Sequence, residues 1–193
     1  MSAPLAREVL PPHLTPAADR LRLVTVEIDS PGGSGAGILW SPELIVTNAH
    51  VARAARVHVA LPDDRRIEAH LLAADRSADL ALLRIPRCGF APAAAADSDA
   101  VRVGALVVAF GHPLGLRRTL TAGVVHALAP AGPGGRRLIQ AALRLAPGNS
   151  GGPLADTAGR VVGINTMIAG GLALAVPVND VRRFVTAAVG RAP

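Results

Sequence analysis

Apolar positions along the chain fall in short runs that alternate with polar positions or carry β-branched residues, and turn residues interrupt them at close spacing. The pattern predicts strands near 21–28, 36–40, 43–47, 57–61, 66–73 and 80–85, divided by Pro31-Gly32-Gly33, Ser41-Pro42 and Pro62-Asp63-Asp64. A second series is predicted near 106–110, 119–128, 137–141, 160–166 and 172–176. The Ala-, Pro- and Asp-rich stretch 91–100 between them reads as a connection between two lobes. Helical periodicity shows in two places only, 50–55 and 179–189. In the second, Asn179 stands where it can cap, and Val181, Phe184, Val185 and Val189 follow at i, i+3, i+4 and i+8. Many short strands closed by a helix predict an all-β sandwich or a pair of barrels, not a doubly wound sheet.

Composition narrows the class. Of 193 residues, 50% are hydrophobic and 18% charged, so a core can form and the signature of a disordered chain is absent. The longest nearly uncharged stretches, 103–110 and 168–178, are too short or too broken by Gly and Pro to span a bilayer. The stretch from Met1 to Asp19 has early prolines, scattered charge and no apolar segment of a secretory signal, so the default reading is cytoplasmic. The net charge is +6 and all 20 basic residues are Arg, strewn singly or in pairs such as Arg65-Arg66 and Arg117-Arg118. With 2% aromatics there is little to stack on bases, so the charge reads as a solvated surface and no nucleic acid is expected. Cys88 is the one cysteine, which excludes an internal disulfide; beside Leu83, Ile85 and Phe90 it reads as a buried, inert thiol.

The chemistry-bearing stretch is Pro147-Gly148-Asn149-Ser150-Gly151-Gly152-Pro153. Flanking glycines suit a tight turn that presents a hydroxyl, and such a turn can aim the amides of Gly148 and Ser150 at one developing oxyanion. A serine hydroxyl needs a base. Among six histidines, His50 stands out because it follows the strand-like Leu44-Ile45-Val46-Thr47. The base in turn needs an anion, and Asp79 opens the apolar run Leu80-Ala81-Leu82-Leu83; Asp75, four residues earlier, reads as the cap of the preceding turn. The remaining histidines lack metal-ligand spacing, and neither a metal nor a cofactor is expected.

The blocks Thr47-Asn48-Ala49-His50-Val51, Asp79-Leu80-Ala81-Leu82-Leu83 and Gly148-Asn149-Ser150-Gly151-Gly152-Pro153 together resemble trypsin-like serine proteases of the HtrA/Deg type. Gly35-Ala36-Gly37-Ile38, Gly111-His112-Pro113-Leu114-Gly115, and Val162-Gly163-Ile164-Asn165-Thr166 with Ala175-Val176-Pro177 extend the resemblance over roughly 33–189. It implies two six-stranded antiparallel β-barrels with a C-terminal helix, at about 21–95, 100–178 and 179–189, after a lead-in at 1–20. It further implies Ser150 as nucleophile, His50 as base then acid, Asp79 as orienter, and the Gly148 and Ser150 amides as oxyanion hole. Substrate would lie along Thr166, Met167 and Ile168, with Arg144 near the base of the pocket for the residue before the scissile bond.

Departures from the family modify these expectations. No PDZ domain follows the helix before Pro193, and the region before Asp29 is short and Pro-rich, so monomer and trimer both stand as readings. Gly170-Gly171 reads as a tight hairpin where relatives have a longer loop. Arg144 replaces a small residue. Pointing inward it would favour an acidic side chain; pointing outward, the expected case, it leaves an apolar pocket for Val, Ala or Leu. The expected function is a serine endopeptidase acting on exposed or unfolded polypeptide through an acyl-enzyme. The alternative is a peptide-binding or chaperone-like module with little turnover.

Overall fold

Twelve strands close into two six-stranded antiparallel barrels in this computed structural model, which describes residues 14–113, 116–130 and 137–190. The first barrel is built from β1 (Thr25–Ser30), β2 (Gly33–Ser41), β3 (Leu44–Thr47), β4 (Arg56–Ala60), β5 (Arg66–Asp75) and β6 (Leu80–Arg84), in the order β1-β2-β3-β6-β5-β4. The second is built from β7 (Leu106–Gly111), β8 (Thr119–Pro130), β9 (Arg137–Ala142), β10 (Pro153–Asp156), β11 (Val161–Ala169) and β12 (Leu172–Pro177), in the order β10-β11-β12-β9-β8-β7. This is the fold class expected from the sequence. Closure leaves neither sheet with a long free edge.

Period-two alternation places the cores. In β4, Val57 and Val59 face inward while Arg56 and His58 are exposed. Ile28, Leu39, Ile45 and Leu83 join them to fill barrel one, and Val107, Val125, Ile139 and Leu154 fill barrel two. A third cluster occupies the seam: Ile38, Val46, Leu80 and Leu82 of barrel one meet Ile164, Leu174 and Val176 of barrel two. Helix α2 (Val178–Val189) lays Val181 and Val185 into that seam. Cys88 is free and buried against the first core.

Four local expectations need correction. The strand expected at 21–28 begins at Thr25; Leu21 instead belongs to a helix, α1 (Thr15–Arg22). Its signal was Pro16 in the first turn with Ala17 and Leu21 four apart, both fully buried. The stretch 50–55 is one turn, in which the amides of Val51 and Ala52 donate to the Asn48 carbonyl, not a helix. The short β10 escaped the strand pattern because it has only four residues and starts at Pro153. Asn179 lies inside the first turn of α2 and caps nothing there. Its own amide donates to Ser98 Oγ at 3.1 Å, and its side-chain Nδ2 donates to Asp97 at 2.7 Å.

Both helices cross between the barrels. Although α1 precedes barrel one, Leu21 packs on Val108, Phe110 and Ala155 of barrel two, and Arg20 donates to the Ala158 carbonyl at 2.6 Å. Helix α2 follows barrel two yet packs partly on β5 and β6. A third tie is ionic. Arg117 reaches Glu27 at 3.0 Å and also pairs with Asp64, and Arg118 reaches Asp64 at 3.0 Å and the Pro62 carbonyl at 2.9 Å.

Behind this clamp lies His112. Its Nδ1 accepts the Arg118 amide at 3.3 Å, and its buried Nε2 has no partner among the described residues. Burial, with Arg117 and Arg118 nearby and only Asp64 opposing, pushes its pKa down to about 4. Protonation would also set two donors face to face at Nδ1.

Two predictions follow from this packing. Leu21→Ala should lower unfolding free energy by about 2–4 kcal/mol in urea titrations, against about 0.5 kcal/mol or less for the exposed neighbour Arg22→Ala. His112 refuses below its ordinary 6.5 a proton that the unfolded chain accepts, so its contribution is complete above 6.5 and is lost as pH falls toward about 4. By pH 5 the loss should be about 2 kcal/mol, and His112→Asn should flatten that part of the stability curve.

Candidate active site between the barrels

The end of β3 delivers its chain into the seam. After Thr47, Asn48 Nδ2 donates to the Asp79 carbonyl at 2.9 Å. Two residues on, the His50 amide donates to Asp79 Oδ1 at 3.0 Å, and His50 Nδ1 lies 2.8 Å from Asp79 Oδ2. Asp79 itself sits just before β6 at φ +54°, a left-handed conformation that Asp tolerates better than most residues. The strained backbone turns its carboxylate back toward His50. Asp75, the competing carboxylate, accepts from the amides of Ser77 and Ala78, both at 2.9 Å, and so holds the turn before Asp79.

Barrel two supplies the remaining donor to Asp79. A register shift between Asn165 and Met167 takes Thr166 out of the β11–β12 ladder, and the Thr166 hydroxyl donates to Asp79 Oδ2. Burial by itself would raise the Asp79 pKa. The hydrogen bonds from His50 and Thr166, the His50 amide and the imidazole charge outweigh it and hold the carboxyl below its usual range. A charged carboxylate at Nδ1 keeps the proton there and leaves the lone pair on Nε2.

Ser150 comes from the loop before β10. Gly148 has φ +105° and Gly151 φ +82°, and a Cβ on Gly151 would stand 2.1 Å from the Ala36 carbonyl oxygen. Only glycine permits that approach. The loop is fixed on both sides, since the Ser150 carbonyl accepts from Ala36 of β2 at 2.7 Å and the Gly151 amide donates to the Asn165 carbonyl at 2.8 Å. Gly148 is held from behind by the His112 amide, which donates to its carbonyl at 3.3 Å. Among the described residues, the amides of Gly148 and Ser150 donate to no protein acceptor.

The Ser150 hydroxyl donates to the Thr166 carbonyl at 3.3 Å and shares no hydrogen bond with His50. Both residues line one cleft of about 680 Å³. Gly32, Gly33, Ser34, Val51 and Arg53 form its barrel-one flank beside His50. Residues 145–149 and Thr166, Met167 and Ile168 form the barrel-two flank.

The structure thus brings together His50, Asp79, Ser150, Gly148 and Thr166, and places Met167 and Ile168 on the exposed rim. Strand β10 pairs with β11 only as far as Ile164, which leaves the edge of β11 open along 166–168. Gly170 and Gly171, at φ +57° and +79°, close the β11–β12 hairpin in two residues. Arg144 is not brought to this cleft. It is exposed and lines a neighbouring depression with Leu116 and Thr119, and its carbonyl accepts from Thr121 at 3.0 Å.

Sequence reasoning missed two features. It gave Thr166 a backbone role along the substrate and did not foresee that its hydroxyl donates to Asp79; the signal was a hydroxyl residue within an otherwise apolar strand. It also passed over Arg53, which follows the His50 turn, donates to the His50 carbonyl and lines the cleft.

Comparison with known proteins agrees with this architecture. The trypsin-like peptidase domain model matches residues 35–164. Protease Do-like 1, chloroplastic, of Arabidopsis thaliana is 36% identical over 190 residues, covering 90% of this chain and 43% of its own. Serine protease Do-like HtrA of Bacillus subtilis is 37% identical, covering 80% and 39%. Periplasmic pH-dependent serine endoprotease DegQ of Escherichia coli is 38% identical, covering 78% and 35%. The chain therefore spans less than half the length of these relatives. Among solved structures, HtrA-type protease AlgW with tripeptide superposes with a TM-score of 0.83 at 30% identity, covering 90% of this chain and 62% of that one. With its closed barrels, its seam cleft and these matches along most of its length, the chain belongs to the trypsin-like peptidase family, in its HtrA/Deg branch.

Proposed function

We propose that the cleft hydrolyses peptide bonds by way of an acyl-enzyme on Ser150. The observation that carries this reading is the convergence on one cleft of a carboxylate-held His50, the Ser150 hydroxyl and the two unengaged amides of Gly148 and Ser150. The hydroxyl leaves the Thr166 carbonyl and turns to His50 Nε2, which takes its proton as Oγ bonds to the substrate carbonyl carbon. The carbonyl oxygen becomes an oxyanion between the two amides. Collapse breaks the C–N bond, and His50 passes the proton to the departing amine. Water then repeats the sequence on the acyl-enzyme. Asp79 stays ionised and stabilises the imidazolium.

The acyl side of the substrate extends along the open edge of β11, adding a strand by backbone hydrogen bonds. The pocket before the scissile bond is bounded by Leu145, Ala146, Pro147, Met167 and Ile168 and carries no charge, which suits a small aliphatic residue. Arg144, directed elsewhere, leaves that pocket apolar.

The Ser150–Thr166 hydrogen bond supports a second reading, a resting or low-turnover peptide-binding state on the same fold. A fluorophosphonate probe read by intact mass separates the two. Wild-type protein should take one label and cleave unfolded casein, and Ser150→Ala should do neither. Absence of labelling in folded wild-type protein would favour the binding reading. Thr166→Val removes a donor to a charged carboxylate and should reduce kcat roughly 10- to 100-fold with KM little changed, as measured on a peptide substrate.

A further inference from the structure

Among the described residues lining the cleft, Arg53 is the one cation apart from the titratable His50, and none is a carboxylate. It is anchored at two points. Its amide donates to Ser30 Oγ at 3.3 Å, and its Nε donates to the His50 carbonyl at 2.6 Å. Its Nη1 lies 3.3 Å from where a Cβ on Gly32 would stand, so the guanidinium rests against a turn that carries no side chain there. Neither Nη1 nor Nη2 has a protein acceptor among the described residues. The nearby carboxylates are engaged elsewhere, Asp79 with His50 and Thr166, and Asp29 with Arg66 at 3.7 Å. A guanidinium fixed through Nε with its outer fork free is organised to receive a carboxylate, and it gives up little further side-chain entropy in doing so.

The position of Arg53 decides which part of a ligand it meets. His50 hands its proton to the departing amine, so the residues following the scissile bond leave past His50. The barrel-two flank is taken by the acyl side on β11, which directs the leaving side along Gly32, Gly33, Ser34 and Arg53.

We infer that Arg53 forms a subsite for an acidic side chain, Asp or Glu, at the first or second residue after the scissile bond. This inference rests on the proposed peptide hydrolysis, which fixes the direction of the bound chain. It assigns charge selection to the leaving side of the cleft, whereas the arginine that the sequence placed near the acyl side, Arg144, lies outside it.

The test uses peptides with amidated C-termini and identical acyl halves, carrying Asp, Ala or Lys at either of the two positions. Cleavage by the intact protein is followed by mass spectrometry of the fragments. Binding of the same peptides, fluorescently labelled, is followed by anisotropy on the Ser150→Ala protein. In both readouts the Asp peptide should exceed the Lys peptide by roughly tenfold, combining attraction and repulsion at a partly solvated cation. Arg53→Glu should reverse the order, and Arg53→Lys should keep it at reduced size. Arg87→Glu, an equal change of net charge at an exposed residue outside the cleft, should leave the ratio unchanged.

Comparing two peptides on one variant cancels any loosening of the His50 turn when the Nε contact is lost. A ratio near one in wild type, or one that Arg53→Glu leaves unchanged, overturns the subsite. So does a ratio that Arg87→Glu moves as far as Arg53→Glu does, because the general field of the protein would then be its source. If no peptide is cleaved but anisotropy keeps the charge order and its reversal, the hydrolytic reading fails and the subsite stands. Cleavage without charge dependence is the opposite result.

Discussion

A carboxylate has to stay ionised where two apolar barrels meet, and the arrangement of the cleft follows from how that is achieved. Removing Asp79 from water disfavours its charge, and three groups oppose that penalty: the His50 ring, by hydrogen bond and by its field, the His50 amide and the Thr166 hydroxyl. These donors come from both barrels. Thr166 can contribute because β11 slips its register there, and Asp79 can face His50 because its backbone accepts a left-handed conformation. The hydrogen bonds that keep the charge also fix the imidazole tautomer, so one set of contacts serves stability and chemistry together. The folded-state pKa being depressed, this stabilisation is complete above the ordinary carboxylate range and is lost as pH falls below it.

The loop that carries Ser150 obeys a different constraint, close approach of backbones. Gly151 lies against the Ala36 carbonyl and Gly148 against His112, positions where any side chain would displace its neighbour. His112 in turn is held by the segment that Arg117 and Arg118 clamp onto Asp64 and Glu27. A surface ion cluster on barrel one is therefore connected, through contacts, to the amide expected to meet an oxyanion. Each exposed pair contributes little alone. Their shared geometry matters because it sets where the His112 turn rests.

Legibility in the sequence tracked the range of the interaction. Strands whose pattern is local, such as β4 with its alternating Val57 and Val59, could be read directly, and so could the Gly170-Gly171 hairpin. The blocks around His50, Asp79 and Ser150 were legible because the chemistry requires those residue types together. What escaped depended on partners distant in sequence. Helix α1 exists because barrel two covers Ala17 and Leu21, β10 because β7 and β11 pair with it, and Asn179 turns from capping toward Asp97 across 82 positions. Arg144 and Arg53 make the same point for the cleft, because only the folded backbone decides which arginine faces it.

Each chain end reaches across to the barrel it does not border. Helix α1 starts before barrel one and packs on barrel two, while α2 leaves barrel two and lies in the seam against strands of both barrels. The connection at 91–100 is then the only covalent link between the two halves, though far from the only bond. A chain cut there would give two fragments, each carrying a helix that packs on the other. Those crossing helices would hold such fragments together as a reconstituted pair. The cleft therefore lies between halves that are tied by packing as well as by the chain.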